Sequence, residues 1–143
     1  MASTAGVSSE ATPSAVITVY RQDYQPVPYT ITTVGLEFVL HEESTVARST
    51  LSFERTPAAG AGSPPLELAG SPELELVALL LDGVAVPPSS YERSAKGGLV
   101  IRGLPSTPGF TLSVETRLKP QDNTSLEGLY KSSGNYCTQA RGA

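Results

Sequence analysis

An antiparallel all-β sandwich or bent sheet is the fold class this sequence predicts, on three observations. Long stretches alternate apolar and polar residues with a period of two, the repeat of a strand with one buried face. An Asp82-Gly83 pair separates two apolar runs, a strong signal for a two-residue hairpin. Thirteen glycines and twelve prolines punctuate 143 residues. That density suits short strands and turns, and no segment carries a helical repeat of 3.6.

The elements follow in order. Met1 to Pro13 is small and polar, without Lys or Arg, and reads as a disordered tail. Val16 to Tyr20 is mostly β-branched and reads as strand. Pro26 and Pro28 bar a helix over Tyr24 to Tyr29, which is expected to be extended. Thr30 to Leu40 is the clearest strand, with Val34, Leu36, Phe38 and Leu40 on one face and Gly35, Glu37, Val39 and His41 on the other. Glu42, Glu43 and Ser44 turn the chain. Thr45 to Arg55 returns with Ala47, Ser49, Leu51 and Phe53 facing inward, so the two runs form an antiparallel hairpin.

Thr56 to Pro65 is a loop of small residues, Gly and Pro. Strand patterning resumes at Leu66 to Leu68 and again at Leu74 to Leu81. Asp82-Gly83 then turns the chain into Val84 to Val86, which Pro87-Pro88 closes. Tyr91 to Arg93, Gly98 to Arg102 and Gly109 to Leu118 complete seven or eight strands. In the last, Phe110, Leu112, Val114, Thr116 and Leu118 share a face. Lys119 to Ala143 is polar, and is expected as an ordered loop segment whose Leu126, Leu129, Tyr130 and Tyr136 need something to pack on.

Composition narrows the function. The net charge is −4 with no basic cluster, which argues against nucleic acid and anionic membrane as partners. No apolar run is long enough to span a bilayer. The N-terminal stretch lacks the apolar core of a secretory signal, so the expected compartment is the cytoplasm, with a plastid the alternative on its Ser/Thr/Ala bias. One cysteine, Cys137, and one histidine, His41, leave no Cys-rich zinc site and no two-histidine site. His41-Glu42 begins like the zinc motif HExxH, but Thr45 stands where the second His belongs, and the pair lies at a strand end. Asn123-Thr124-Ser125 is a formal glycosylation sequon, read as chance. Cys137 lacks the cationic surroundings that activate a thiol and reads as packing. No metal or other cofactor is expected within this chain.

From Asn123 to Gln139 the sequence runs NTSLEGLYKSSGNYCTQ. This stretch closely resembles the zinc aminopeptidases of the aminopeptidase N (alanyl, puromycin-sensitive) family, whose bacterial and plant branch carries NT-x-LEGLY and CTQCEAEGFR. Arg21 to Tyr24 with Pro28-Tyr29, Val34 to Phe38, and Leu74 to Gly83 resemble further family segments, so the likeness spans about residues 16–139. It implies a saddle-like β-sandwich at residues 14–139 that caps a catalytic domain. For a parent enzyme it implies removal of amino acids from peptide N-termini by a zinc-activated water. Zinc and the catalytic residues would lie in the domain that follows, so this chain is expected to be inactive alone. The one site position carried over is Gln139, which in relatives lines the pocket for the substrate's first side chain. The likeness stops there. Ala140 stands for the family's second Cys, Arg141 for a Glu that binds the substrate's ammonium, and residues 140–143 are expected as a divergent terminus of a fragment. The implied partners are the catalytic domain and the peptide substrate. The rival reading is a stand-alone, non-catalytic β-sandwich that binds a protein partner.

Overall fold

The computed structural model describes residues 20–140. The disordered tail expected over 1–13 and most of the strand expected at Val16 to Tyr20 lie outside those residues; Tyr20 itself precedes a short 3-10 turn at Arg21–Asp23.

Among the described residues, ten strands form three antiparallel sheets. They are β1 (Tyr29–Leu40), β2 (Thr45–Arg55), β3 (Leu66–Leu68), β4 (Glu75–Leu81), β5 (Val84–Ala85), β6 (Tyr91–Arg93), β7 (Leu99–Ile101), β8 (Gly109–Leu118), β9 (Gly128–Ser132) and β10 (Asn135–Gln139). The main sheet has the order β1-β2-β8-β4-β5, and a small sheet β3-β7-β6 covers part of one face. The sandwich expected from sequence is thus observed, with one difference. The tail expected as loop carries the hairpin β9–β10.

Two turns explain the two tightest hairpins. Asp82 and Gly83 both take positive φ, 48° and 80°, as a type I′ turn requires, and Leu81 pairs with Val84 across them. Ser133 and Gly134 repeat the geometry at 49° and 84°, joining β9 to β10.

The core sits where the small sheet overlies the middle of the large one. Leu112 and Ile101 are wholly buried, and Phe53, Leu79, Phe110, Leu66 and Leu104 pack around them. Phe53 stacks on Phe110 at 5.2 Å between ring centres, and Tyr29 meets Phe110 edge-on at 5.5 Å. The Tyr29 hydroxyl donates to the Pro64 carbonyl at 2.7 Å, fixing the loop after β2. Arg55 fastens the same loop by donating to the Gly60 carbonyl at 3.3 Å and to that of Gly62. Arg93 does the same for the β3–β4 connection, donating to Leu74 and Ser71 carbonyls at 2.6 and 3.1 Å. Gly97 lies so close to Ser71 that a Cβ there would fall 2.1 Å from its carbonyl carbon.

The cover does not reach across the whole sheet. Val34, Leu36, Phe38 and Leu40 pair with Leu51, Ser49, Ala47 and Thr45 and so share the core face. They nevertheless remain 57%, 64%, 46% and 46% exposed, because the three short strands of the small sheet lie over β2, β8 and β4 and leave the edge strand bare. An apolar gap of about 270 Å³, lined by Leu51, Leu68, Leu76, Leu99 and Val114, lies where the layers part.

Candidate functional site

Beyond β8 the chain turns at Pro120–Asp122, where Pro120 is buried and Gln121 donates its side-chain amide to the Glu43 carbonyl at 2.7 Å. Asn123 organises the loop between this turn and β9. Its Nδ2 donates to the carbonyls of Glu127 at 2.8 Å and Leu129 at 2.9 Å, and its Oδ1 accepts from the Ser125 amide at 3.1 Å and hydroxyl at 2.8 Å. The last pair is an Asx turn. It holds Leu126 in the left-handed region at φ 59°, side chain half exposed.

Both donor hydrogens of Asn123 are therefore spent inside the loop. A glycan on Nδ2 would remove at least one of these bonds, so the geometry gives the sequon a structural role. The signal was present in the sequence: Asn followed two residues later by Ser is a turn signature as well as a sequon.

The hairpin β9–β10 is fastened back onto the β1–β2 turn. Tyr136 donates its hydroxyl to the His41 carbonyl at 2.9 Å, and Lys131 lies over the Tyr136 ring at 5.2 Å. Tyr136, Leu129 and Tyr130 are thus partly buried by the chain itself, and of the apolar tail residues Leu126 is the one left widely exposed. Of the four tail residues expected to need something to pack on, three find part of it within the chain, and a separate row of exposed apolar side chains lies on β1.

Gln139 ends β10, exposed, opposite Gly128. Gly128 and Leu129 also line a cavity of about 610 Å³ between the start of β4 and the end of β8. Leu74, Leu118 and Leu129 supply apolar wall, and Glu73, Asp122 and Lys119 supply charge. Gln139 lies outside that lining. Its carboxamide can donate and accept hydrogen bonds, and it can neither exchange a proton near neutral pH nor attack a carbonyl. Its chemistry suits binding and not bond-making.

The other candidates do not converge. His41 lies exposed at the end of β1 and its amide bonds Ser44 across the turn, with Glu42 and Glu43 exposed beside it. Cys137 is half buried on β10, opposite Tyr130. Among the described residues no three His, Cys, Asp or Glu side chains are grouped to hold a metal ion, so zinc does not fit what the described chain offers. Glu92 on β6, outside the cavity lining, is held below its ordinary value by a hydrogen bond and charge pairing with Arg102 at 2.9 Å. Among the described residues no helix is long and apolar enough to cross a membrane.

Comparison with known proteins gives this geometry a context. No protein-family model matches the chain. It is 38% identical over 117 residues to aminopeptidase N of Caulobacter vibrioides, covering 82% of the chain and 13% of that protein. It is 37% identical over 120 residues to aminopeptidase N of Escherichia coli, and 28% identical over 130 residues to that of Haemophilus influenzae, each covering 84% of the chain and 13% of the relative. The chain thus spans about an eighth of the curated relatives it matches. Among solved structures, Legionella pneumophila aminopeptidase A in complex with aspartic acid superposes with a TM-score of 0.67 at 24% identity, over 79% of this chain and 13% of that one. Native leukotriene A4 hydrolase from Saccharomyces cerevisiae does so at 0.55 and 17%, over 71% and 16%. These two likenesses speak to the fold.

Proposed function

Because this chain is a homologue of the N-terminal region of aminopeptidase N, we propose that residues 14–139 serve as the N-terminal β domain of a zinc metallo-aminopeptidase, which removes amino acids from peptide N-termini. The observation that carries the reading is the 38% identity across 82% of the chain, on an antiparallel scaffold that the solved relatives share. Zinc, in this reading, belongs to polypeptide outside this chain, because the described residues offer no ligand set. The chain alone is inactive.

Its own contribution is to hold a wall. The β9–β10 hairpin, tied to the His41 carbonyl by Tyr136, presents the Gln139 carboxamide at an exposed strand end. There it lines the pocket for the first side chain of a bound peptide and contributes to selectivity without taking part in bond cleavage. A neutral amide suits a pocket that must accept side chains of differing polarity. The partner is the catalytic domain of the parent, and the compartment is the cytoplasm, with a plastid the alternative.

An antibody raised against residues 20–120 tests the reading. The native protein it captures should be several times larger than 14.9 kDa and should hydrolyse aminoacyl p-nitroanilides. A sole species of 14.9 kDa without that activity would refute it. The chain would then join the non-catalytic β-sandwiches that bind a protein partner, a reading the bare apolar face of β1 favours.

A further inference from the structure

Gln139 sits at the weak end of its hairpin. It pairs with Gly128, the pair farthest from the Ser133-Gly134 turn, where a hairpin frays first. Strands β9 and β10 form a sheet of their own, and a two-stranded ribbon is marginal by itself. Tyr136 ties β10 to the His41 carbonyl near the turn end, not at the Gln139 end. Gly128, at φ 70°, gives the Gln139 side chain no cross-strand neighbour to pack on. Placement of the carboxamide therefore rests on the backbone at Gly128.

That backbone is gripped from outside the hairpin. Asn123 Nδ2 donates to the two carbonyls that flank Gly128, those of Glu127 at 2.8 Å and Leu129 at 2.9 Å. The Asn123 side chain itself stands on a firm base. Its backbone amide donates to the Pro120 carbonyl at 3.3 Å, Pro120 is wholly buried, and Gln121 bonds the Glu43 carbonyl. The groups that the side chain bonds lie outside the core: Ser125 and Glu127 are exposed, and Leu129 is not part of the buried cluster. The clamp thus governs local placement and not the packing of the sandwich.

We propose that Asn123 is a positioning residue for Gln139. By fixing the carbonyls on either side of Gly128 it sets, through the Gly128–Gln139 pair, where the Gln139 carboxamide stands in the pocket. The inference rests on the pocket role proposed above for Gln139. Asn123 does not touch the substrate, so its loss alters binding and selectivity and spares the chemical step. The residue type suits the task. Asn carries two N–H donors on one nitrogen, enough for two carbonyls at once, whereas Asp has the same shape with no donor and Ser has one.

One measurement on the chain and one on an enzyme test this. In the full 143-residue chain, amide hydrogen exchange is compared between wild type and Asn123→Asp. Exchange over residues 137–139, which the Asn123 side chain does not bond, should quicken about five-fold along with 127–129, while β8 keeps its protection. Quickening confined to 124–129 would overturn the proposal, because the clamp would then steady only its own loop. The enzyme is E. coli aminopeptidase N carrying this chain's residues over the matching 120. There Asn123→Asp and Asn123→Ala should each raise KM for leucyl p-nitroanilide several-fold and leave kcat nearly unchanged. Agreement between the two separates the lost donors from the charge that Asp adds. In a Gln139→Ala background neither should raise KM further, since a residue that acts through another adds nothing once that other is gone. An equal rise in both backgrounds would overturn the proposal. So would an unchanged KM in both Asn123 variants when Gln139→Ala alone raises it. If Gln139→Ala alone leaves KM unchanged, the pocket reading fails, and the exchange result decides the clamp by itself.

Discussion

Two leucines on one face of one sheet test how far the small sheet extends. Leu112 is wholly buried on β8 between Leu51 and Leu81, and Leu36 is 64% exposed on β1. Both become alanine. At Leu112 the lost transfer energy is about 2 kcal/mol, and the unfilled cavity adds more, so the loss should be about 3–4 kcal/mol. A β-sandwich with flanking strands hydrogen-bonded on both sides of β8 relaxes little, which keeps the figure in the upper half of the usual range. At Leu36 the side chain already meets water, and the loss should stay below about 0.5 kcal/mol. Urea unfolding reads both values from the shift in midpoint. The corresponding fall in Tm for Leu112→Ala is roughly 10–15 °C. Equal losses at the two positions would refute the reasoning, because they would mean that β1 is covered in the free monomer.

Three further outcomes rest on particular contacts. Asn123→Ala removes the donors to Glu127 and Leu129, and amide hydrogen exchange over residues 125–130 should quicken at least ten-fold while the core strands keep their protection. Gly97→Ala forces a Cβ to 2.1 Å from Ser71 at φ +89°, and should cost more than about 3 kcal/mol, whereas Gly62→Ala, with open space around it, should be near neutral in the same urea assay. Thr45 is wholly buried and its hydroxyl has no hydrogen-bond partner, so Thr45→Val should be neutral or stabilising by about 1 kcal/mol in thermal melts.

The strands were legible because their causes are local. Alternation at 45–55 and 109–118 marks β2 and β8 to the residue, and Asp82-Gly83 marks the β4–β5 turn, since few residues other than Gly, Asn and Asp tolerate two successive positive φ values. The β9–β10 hairpin was not legible. Its strands are five residues each with little alternation of polarity, and Ser133-Gly134 is a weaker turn signal than Asp-Gly. Burial was less legible than strand identity. Val34, Leu36, Phe38 and Leu40 show the same period as Phe110, Leu112 and Val114, yet one set is bare and the other covered. Periodicity reports which face a residue occupies, and only the tertiary arrangement decides whether a second layer lies over it. Gln139 came from family resemblance alone, because a single exposed amide at a strand end has no physical signature in sequence. Asn123 was spelled as a sequon, and its use as a loop clamp depends on where the Glu127 and Leu129 carbonyls return.

The most direct test of the proposed role is a chimera. The stretch of E. coli aminopeptidase N that matches this chain over 120 residues is replaced by the corresponding residues here, and hydrolysis of alanyl and leucyl p-nitroanilide is measured. The chimera should be active, and Gln139→Ala within it should raise KM several-fold and change the preference between the two substrates, with little effect on kcat. A chimera that folds but does not hydrolyse either substrate, or one whose KM and preference ignore Gln139, would contradict the account.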